Sequence, residues 1–175
     1  WKRTYRAFLI KRQRSKFMPL HGAWAKSGFF HALESEPDIK QVFITGVSNE
    51  DAPNLERKLY VIRKKIENQV NHKDFYIVSL SSKNIIYKGM LSSMQVRDYF
   101  DDLRDTYFTS GLALVHSRFS TNTFPTWSLA QPFRLLCHNG EINTVRGNRN
   151  WMKARESVLN SGLLGDISSI RPIVQ

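Results

Sequence analysis

Three residues in the middle of the chain carry groups suited to binding a carboxylate and stabilising a negatively charged oxygen. Arg118 offers five donors in a planar fork, which suits a carboxylate. Asn139 and Gly140 place a side-chain amide beside a backbone N–H, a pair that can form an oxyanion hole. Each group also has a plainer interpretation, because an arginine can form a structural ion pair and Asn-Gly is a common hairpin turn. The residue types alone leave both interpretations open.

Two apolar runs must position these groups. Residues 111–115 read GLALV and lead into Arg118, and residues 133–137 read FRLLC and lead into Asn139. Apolar runs of this length are typical of buried strands. We therefore predict two core strands whose ends bring the guanidinium and the amide donors to one common cavity.

Neighbouring histidines and the cysteine do not form a metal or thiol site by spacing. His116 and His138 have no third ligand at a suitable distance in the sequence, so we predict no metal and interpret both as hydrogen-bonded core residues. Cys137 adjoins His138, but successive strand residues point to opposite faces, so it is predicted to be a small buried residue. The chain contains no glycine-rich loop before a helix, so a nucleotide site is not predicted.

Composition indicates a globular chain. It has 175 residues, of which 41% are hydrophobic and 12% aromatic, enough for one domain with a core. No apolar run approaches the roughly 18 residues of a membrane span. Because Cys137 is the one cysteine, an internal disulfide is impossible, and a reducing compartment is the simplest expectation.

The net charge of +11 comes largely from one end. Seven basic residues lie within the first 16 positions, which contain no acidic residue; without those seven, the 26 basic residues fall to 19 against 15 acidic ones. A solvated tail or a segment of a longer protein is the expected explanation, although an acid-free, arginine-rich start also has features of a transit peptide. A basic module that binds RNA or another polyanion is the alternative that this end supports.

Helical periodicity is clear in two places. Apolar residues recur at helical spacing from Leu55 to Val70, which predicts an amphipathic helix with Asn54 as its N-cap. Ser92 and Gln95 have the spacing of a capping box and predict a short helix. A last helix is predicted over residues 148–160, before Gly162.

Strand patterns fill the remainder. We predict a strand within residues 38–47, a hairpin formed by residues 75–80 and 85–91, and the start of another strand at residues 170–174. Hairpin-connected strands flanked by helices indicate an α+β fold, an antiparallel sheet with helices packed on it.

The central region resembles a known family. Residues 116–123 (HSRFSTNT), 124–127 (FPTW), 130–134 (AQPFR) and 138–150 (HNGEINTVRGNRN) are similar to the glutamine amidotransferase domain of the glutamate synthase large subunit. The resemblance covers roughly residues 32–175. It leaves residues 1–31 as an atypical basic N-terminal segment and the rest as a partial amidotransferase domain.

The resemblance implies an incomplete αββα sandwich of the N-terminal-nucleophile hydrolase type. In that family an N-terminal cysteine thiolate attacks the side-chain amide of L-glutamine, and its own α-amino group acts as the base. Arg118 would hold the substrate α-carboxylate, while Asn139 and Gly140 would supply the oxyanion hole.

Four further residues take roles from the same resemblance. Phe119, Thr121 and Asn122 would line the glutamine pocket, and Glu141 would approach the substrate amino group. The family's nucleophile is not matched, because Trp1 stands at position 1. Cys137 cannot replace it, since the mechanism needs a free amine on the same residue. We therefore expect this chain to be inactive alone.

The whole enzyme that the resemblance implies would use the released ammonia to aminate 2-oxoglutarate. Its FMN and iron–sulfur cluster are expected elsewhere, with no cofactor in these 175 residues. Expected partners are the rest of the large subunit and either a small subunit or ferredoxin, in the cytoplasm or a plastid, with no membrane and no nucleic acid. Another class-II amidotransferase is the remaining alternative, and the FPTW and AQPFR segments count against it.

Overall fold

The structure is a computed structural model that describes residues 32–46, 50–70, 72–118, 124–140 and 142–174, together with the backbone of residues 4–10. The chain divides into two compact units. The first comprises residues 1–9, 41–85 and 142–175, and the second comprises residues 10–40 and 86–141. Each unit has its own set of packed side chains.

The amphipathic pattern that begins at Leu55 forms the longest helix, α1 (Ala52–Gln69). Its predicted existence is confirmed, but the predicted N-cap is wrong. Asp51 is the cap, and its carboxylate accepts a 2.7 Å hydrogen bond from the backbone N–H of Asn54. Pro53 fits in the first turn because the N–H that it lacks would have no partner inside the helix.

Three strands form a sheet in the order β2-β1-β3, with β1 at Thr4–Ile10, β2 at Ile39–Thr45 and β3 at Ile77–Ser81. β1 and β3 are antiparallel, and their register changes between Ala7 and Leu9. The strand predicted within residues 38–47 is confirmed as β2. The expectation of a solvated tail is wrong for β1, whose backbone lies at the centre of the sheet.

The predicted hairpin is also wrong. Residues 84–88 follow β3 without strand structure, and β3 pairs with β1 instead of with its neighbour in sequence. The Glu56 carboxylate of α1 takes the place of a tight turn at this end of β3. It accepts hydrogen bonds from the Ser81 hydroxyl (2.5 Å) and from the backbone N–H and hydroxyl of Ser82 (2.8 Å each). Burial acts to raise the pKa of Glu56, but these hydrogen bonds outweigh it and the pKa lies below its ordinary value.

An aliphatic core joins α1 to β3. Leu59 is completely buried and packs with Leu55, Ile77 and Leu80. The turn of 3₁₀-helix at Ile167–Ile170 also packs against α1, and Asn68 of the helix donates to the Arg171 carbonyl at 3.0 Å. No strand begins at residues 170–174, so that prediction is wrong.

The second unit is organised around aromatic rings. The capping box is confirmed: Ser92 and Gln95 exchange hydrogen bonds at the start of α2 (Ser93–Tyr99), and a 3₁₀-turn follows at Asp101–Arg104. The Tyr99 hydroxyl donates to the Glu36 carboxylate at 2.9 Å, and its ring contacts Phe100.

Trp127 anchors the loop that precedes residues 133–140. Its ring lies 5.7 Å from that of Tyr99, and its indole N–H donates to the Ala32 carbonyl at 3.0 Å. Gly89 lies directly against it, because a Cβ built on that glycine would be 2.4 Å from the indole ring. Sequence positions 32, 89 and 127 therefore meet at one buried point.

The last predicted helix exists as α3 (Val145–Glu156), so its predicted start and end were both late by a few residues. Its Glu156 side chain accepts from the Ile173 backbone N–H at 2.7 Å. Because the described residues contain both α-helices and a three-stranded sheet, the α+β class is confirmed in its general form.

Candidate functional site

The two segments that carry the predicted site residues are not strands. Residues 112–118 have no regular structure, and residues 133–136 form a tight turn closed by one bridge. Both are largely exposed: Leu112 is 78% and Leu135 is 73% accessible. The prediction of two buried core strands is therefore wrong. Neither run has a second apolar face against it among the described residues, which is what burial requires.

One imidazole nevertheless joins the two segments. His116 Nδ1 accepts a 3.1 Å hydrogen bond from the backbone N–H of Arg118. His116 Nε2 lies 3.0 Å from Asn139 Oδ1. Two of the predicted site residues, Arg118 and Asn139, are thus held on opposite nitrogens of a single ring.

Gly140 has a backbone that a glycine accommodates best. Its φ of 87° lies in the left-handed region that side chains disfavour. Its N–H, the second predicted oxyanion donor, donates to His138 Nδ1 at 3.0 Å. This backbone donor therefore already has a hydrogen-bond partner within the chain.

The remaining predicted site residues lie outside the described residues: Phe119, Thr121, Asn122 and Glu141. The Arg118 side chain is exposed to solvent. The structure therefore brings together the backbone of Arg118, the Asn139 amide and Gly140, all within the second unit.

A buried lysine contacts the start of the segment that ends at Gly140. Lys88 is 7% exposed, donates to the Ser128 carbonyl at 2.7 Å and lies 4.4 Å from the centroid of the Phe133 ring. Burial lowers the pKa of Lys88 to about 8, because a charged amine loses solvation there. This lysine ties the loop after Trp127 to the first residue of the segment that ends at Gly140.

The predictions for the histidines and the cysteine need correction. His116 and His138 are hydrogen-bonded as expected, but His116 is half-buried, His138 is exposed and Cys137 is half-buried, so none is a core residue. The sequence does indicate these hydrogen bonds, because each histidine stands two residues before a predicted binding group. The H-S-R and H-N-G sequences allow the same local bond, from the later N–H to the earlier ring.

The described residues contain no cluster of three or more His, Cys, Asp or Glu side chains that could hold a metal ion. Within the same parts of the chain, no helix has both the length and the apolar character to cross a membrane. Iron–sulfur clusters take several cysteine thiolates, and the chain has one cysteine, so its residues do not fit such a cluster.

Comparison with known proteins gives the family. Residues 26–175 match the class-II glutamine amidotransferases. The chain is 55% identical over 148 residues to the Bacillus subtilis glutamate synthase [NADPH] large chain, which covers 82% of this chain and 10% of that protein. It is 46% identical over 151 residues to Saccharomyces cerevisiae glutamate synthase [NADH], covering 82% of this chain and 7% of the relative.

A plant relative agrees with these two. The chloroplastic ferredoxin-dependent glutamate synthase of Oryza sativa subsp. japonica is 45% identical over 147 residues, covering 81% of this chain and 9% of that protein. The chain thus spans a tenth or less of the length of these relatives. Because the family match includes the whole candidate site, the chain belongs to the class-II glutamine amidotransferases and is homologous to that domain of glutamate synthases.

Proposed function

We propose that this chain forms part of the glutaminase site of a glutamate synthase. The site binds L-glutamine and hydrolyses its side-chain amide to glutamate and ammonia, and the ammonia then aminates 2-oxoglutarate. The observation that carries the proposal is the family match across residues 26–175, which contains Arg118, Asn139 and Gly140. The linkage of Arg118 and Asn139 through one imidazole supports it.

The chemistry divides among a few groups. The Arg118 guanidinium binds the α-carboxylate of glutamine through paired charge-assisted hydrogen bonds. A cysteine thiolate attacks the amide carbon, and the oxygen that becomes negative accepts from Asn139 Nδ2 and the Gly140 N–H. The α-amino group of that cysteine takes the thiol proton and passes it to the amide nitrogen, so that ammonia leaves as the C–N bond breaks. Water then hydrolyses the thioester to glutamate and restores the thiol. The thiolate belongs to an N-terminal cysteine, because the amine of Cys137 is part of a peptide bond and cannot act as the base.

Phe119, Thr121 and Asn122 complete the glutamine pocket in this proposal, and Glu141 contacts the substrate amino group. The remainder of an αββα sandwich encloses the site in the complete polypeptide. FMN and an iron–sulfur cluster belong to other domains of that polypeptide. The proposal names no electron donor, because the names of the three relatives give three different ones: NADPH, NADH and ferredoxin.

The test uses the complete polypeptide that carries this chain. We expect the wild-type enzyme to release ammonia from L-glutamine and to form glutamate from 2-oxoglutarate. Asn139→Ala should lower kcat for glutamine hydrolysis by about 100- to 1,000-fold with little change in KM, because it removes a donor needed mainly in the transition state. Asn160→Ala, at an exposed asparagine that has no role in the proposal, is the matched control and should leave kcat unchanged.

Substitution of the arginine should have a different kinetic signature. Arg118→Ala should raise KM for glutamine by about 10- to 100-fold, because it removes a hydrogen-bonded charge from the substrate carboxylate. Arg146→Ala, at an exposed arginine of α3, is its control. Wild-type enzyme without glutaminase activity, or Asn139→Ala with full kcat, would contradict the proposal.

A further inference from the structure

The direction of each hydrogen bond around His116 is fixed by chemistry. A backbone N–H can only donate, so the bond from Arg118 makes His116 Nδ1 the acceptor. In the neutral ring the proton then lies on Nε2. The 3.0 Å contact to Asn139 therefore runs from Nε2–H to Oδ1.

This direction fixes the orientation of the Asn139 amide. A carboxamide has an acceptor oxygen and a donor nitrogen, and its terminal torsion is broad when nothing restrains it. Because His116 holds Oδ1, the Nδ2 hydrogens are turned away from the ring. A flipped amide would direct two lone pairs where an anionic oxygen must bind.

The same ring couples two groups that are distant in sequence. Arg118 and Asn139 are 21 positions apart, and neither segment is held by a sheet. Asn139 is exposed, so packing does not immobilise its side chain. His116 is half-buried; its ring accepts from the backbone N–H of Arg118 and contacts the side chain of Asn139.

We propose that His116 is a positioning residue, which orients Asn139 so that its Nδ2 is presented to the oxygen of the tetrahedral intermediate. This inference rests on the proposed function. It gives His116 no contact with the substrate and no proton transfer. Its effect is to keep the amide from rotating when negative charge develops, which preserves a preorganised donor.

Two carboxamide substitutions separate this role from a packing role. In His116→Gln the longer side chain places an N–H near the position of Nε2, so it can still donate to Asn139. In His116→Asn the shorter side chain can accept from the Arg118 N–H but does not reach Asn139. Both variants are neutral, polar and smaller than histidine. A loss of kcat in only one of them would therefore result from whether the side chain reaches Asn139, and not from its smaller volume.

The experiment measures glutamine hydrolysis by the complete polypeptide. We expect His116→Gln to keep kcat within about threefold of wild type. We expect His116→Asn to lower kcat about 10- to 100-fold, less than deletion of the donor itself, with KM for glutamine within about twofold. His72→Asn is the control: His72 Nδ1 makes the same bond to the N–H two residues later, at 3.2 Å from Asp74.

A double-mutant cycle completes the test. If His116 acts through Asn139, His116→Asn should cause no further loss of kcat in an Asn139→Ala background. Full activity in His116→Asn, equal losses in both carboxamide variants, a change confined to KM, or additive losses in the cycle would each overturn the proposal. Absence of activity in the wild-type polypeptide would instead refute the proposed function, so the two failures are distinguishable.

Discussion

The α1–β3 core and the two apolar segments at residues 111–115 and 133–137 have similar compositions and opposite environments. Leu59 of α1 is completely buried, with Leu80 of β3 packed beside it, whereas Leu112 is 78% and Leu135 is 73% exposed. The two regions differ in whether another apolar surface packs against them. α1 and β3 each offer the other an apolar face, and the described residues offer none to the two segments. Apolar sequence is thus buried only where a complementary face is present.

The largest expected effect tests this contrast directly. Leu59→Ala should lower the free energy of unfolding by about 2–5 kcal/mol, because it removes a fully buried side chain and leaves a cavity. Leu112→Ala is the matched leucine in the exposed segment and should change it by less than about 0.5 kcal/mol. Denaturant titration of the purified chain measures both. Equal losses in the two variants would show that the segment at residues 111–115 is packed in solution.

An intermediate effect concerns the support of the segment at residues 133–137. The folded pKa of Lys88 is about 8, below its ordinary value of 10.5, so between these values the unfolded chain binds a proton that the folded chain does not. The free energy of unfolding should therefore rise with pH across that window, by on the order of 3 kcal/mol, and Lys88 should add no slope below it.

The measurement is chemical denaturation at several pH values, in wild type and Lys88→Met. The variant should lack this component of the rise between pH 8 and 10.5, because methionine does not titrate. Identical pH profiles for the two proteins would mean that the Lys88 amine is solvated in solution, and that the turn at Phe133 is not held by a buried cation.

The smallest expected effect compares two glycines, one in each kind of environment. Gly89→Ala should destabilise the chain by about 1–3 kcal/mol, because the new Cβ would lie 2.4 Å from the Trp127 ring. Gly111→Ala adds the same methyl group where no atom lies within 4 Å, and should be nearly neutral. Thermal unfolding would detect the difference, and a neutral Gly89→Ala would place Trp127 elsewhere in solution.

Local patterns predicted the helices better than the sheet. The periodicity that begins at Leu55 and the Ser92–Gln95 capping box involve residues within one or two turns, so the sequence contains all of their determinants. The cap of α1 was misplaced because Asp51 and Asn54 can both accept hydrogen bonds from a helix start. Pairing of β3 with β1 joins residues about 70 positions apart, which no short-range pattern specifies.

The residues proposed for the candidate site come from the sequence, whereas their arrangement in the structure could not be predicted from it. Arg118, Asn139 and Gly140 follow from residue type and family resemblance, and those roles stay predictions. The contact of His116 with Asn139 spans two segments that pair in no sheet, so strand periodicity gave no indication of it. Local chemistry could have suggested half of it, namely the bond from the Arg118 N–H to the His116 ring two residues earlier.

The Gly140 N–H already donates to the His138 ring, and this has a consequence for how glutamine hydrolysis would be driven. A neutral amide oxygen that displaces the ring exchanges one neutral hydrogen bond for another, so arrival of the substrate gains almost nothing at this donor. An oxyanion makes a bond roughly twice as strong. On the proposed function, an occupied donor would thus give little stabilisation to the bound substrate and more as the thiolate adds to the carbonyl carbon and the oxygen becomes negative.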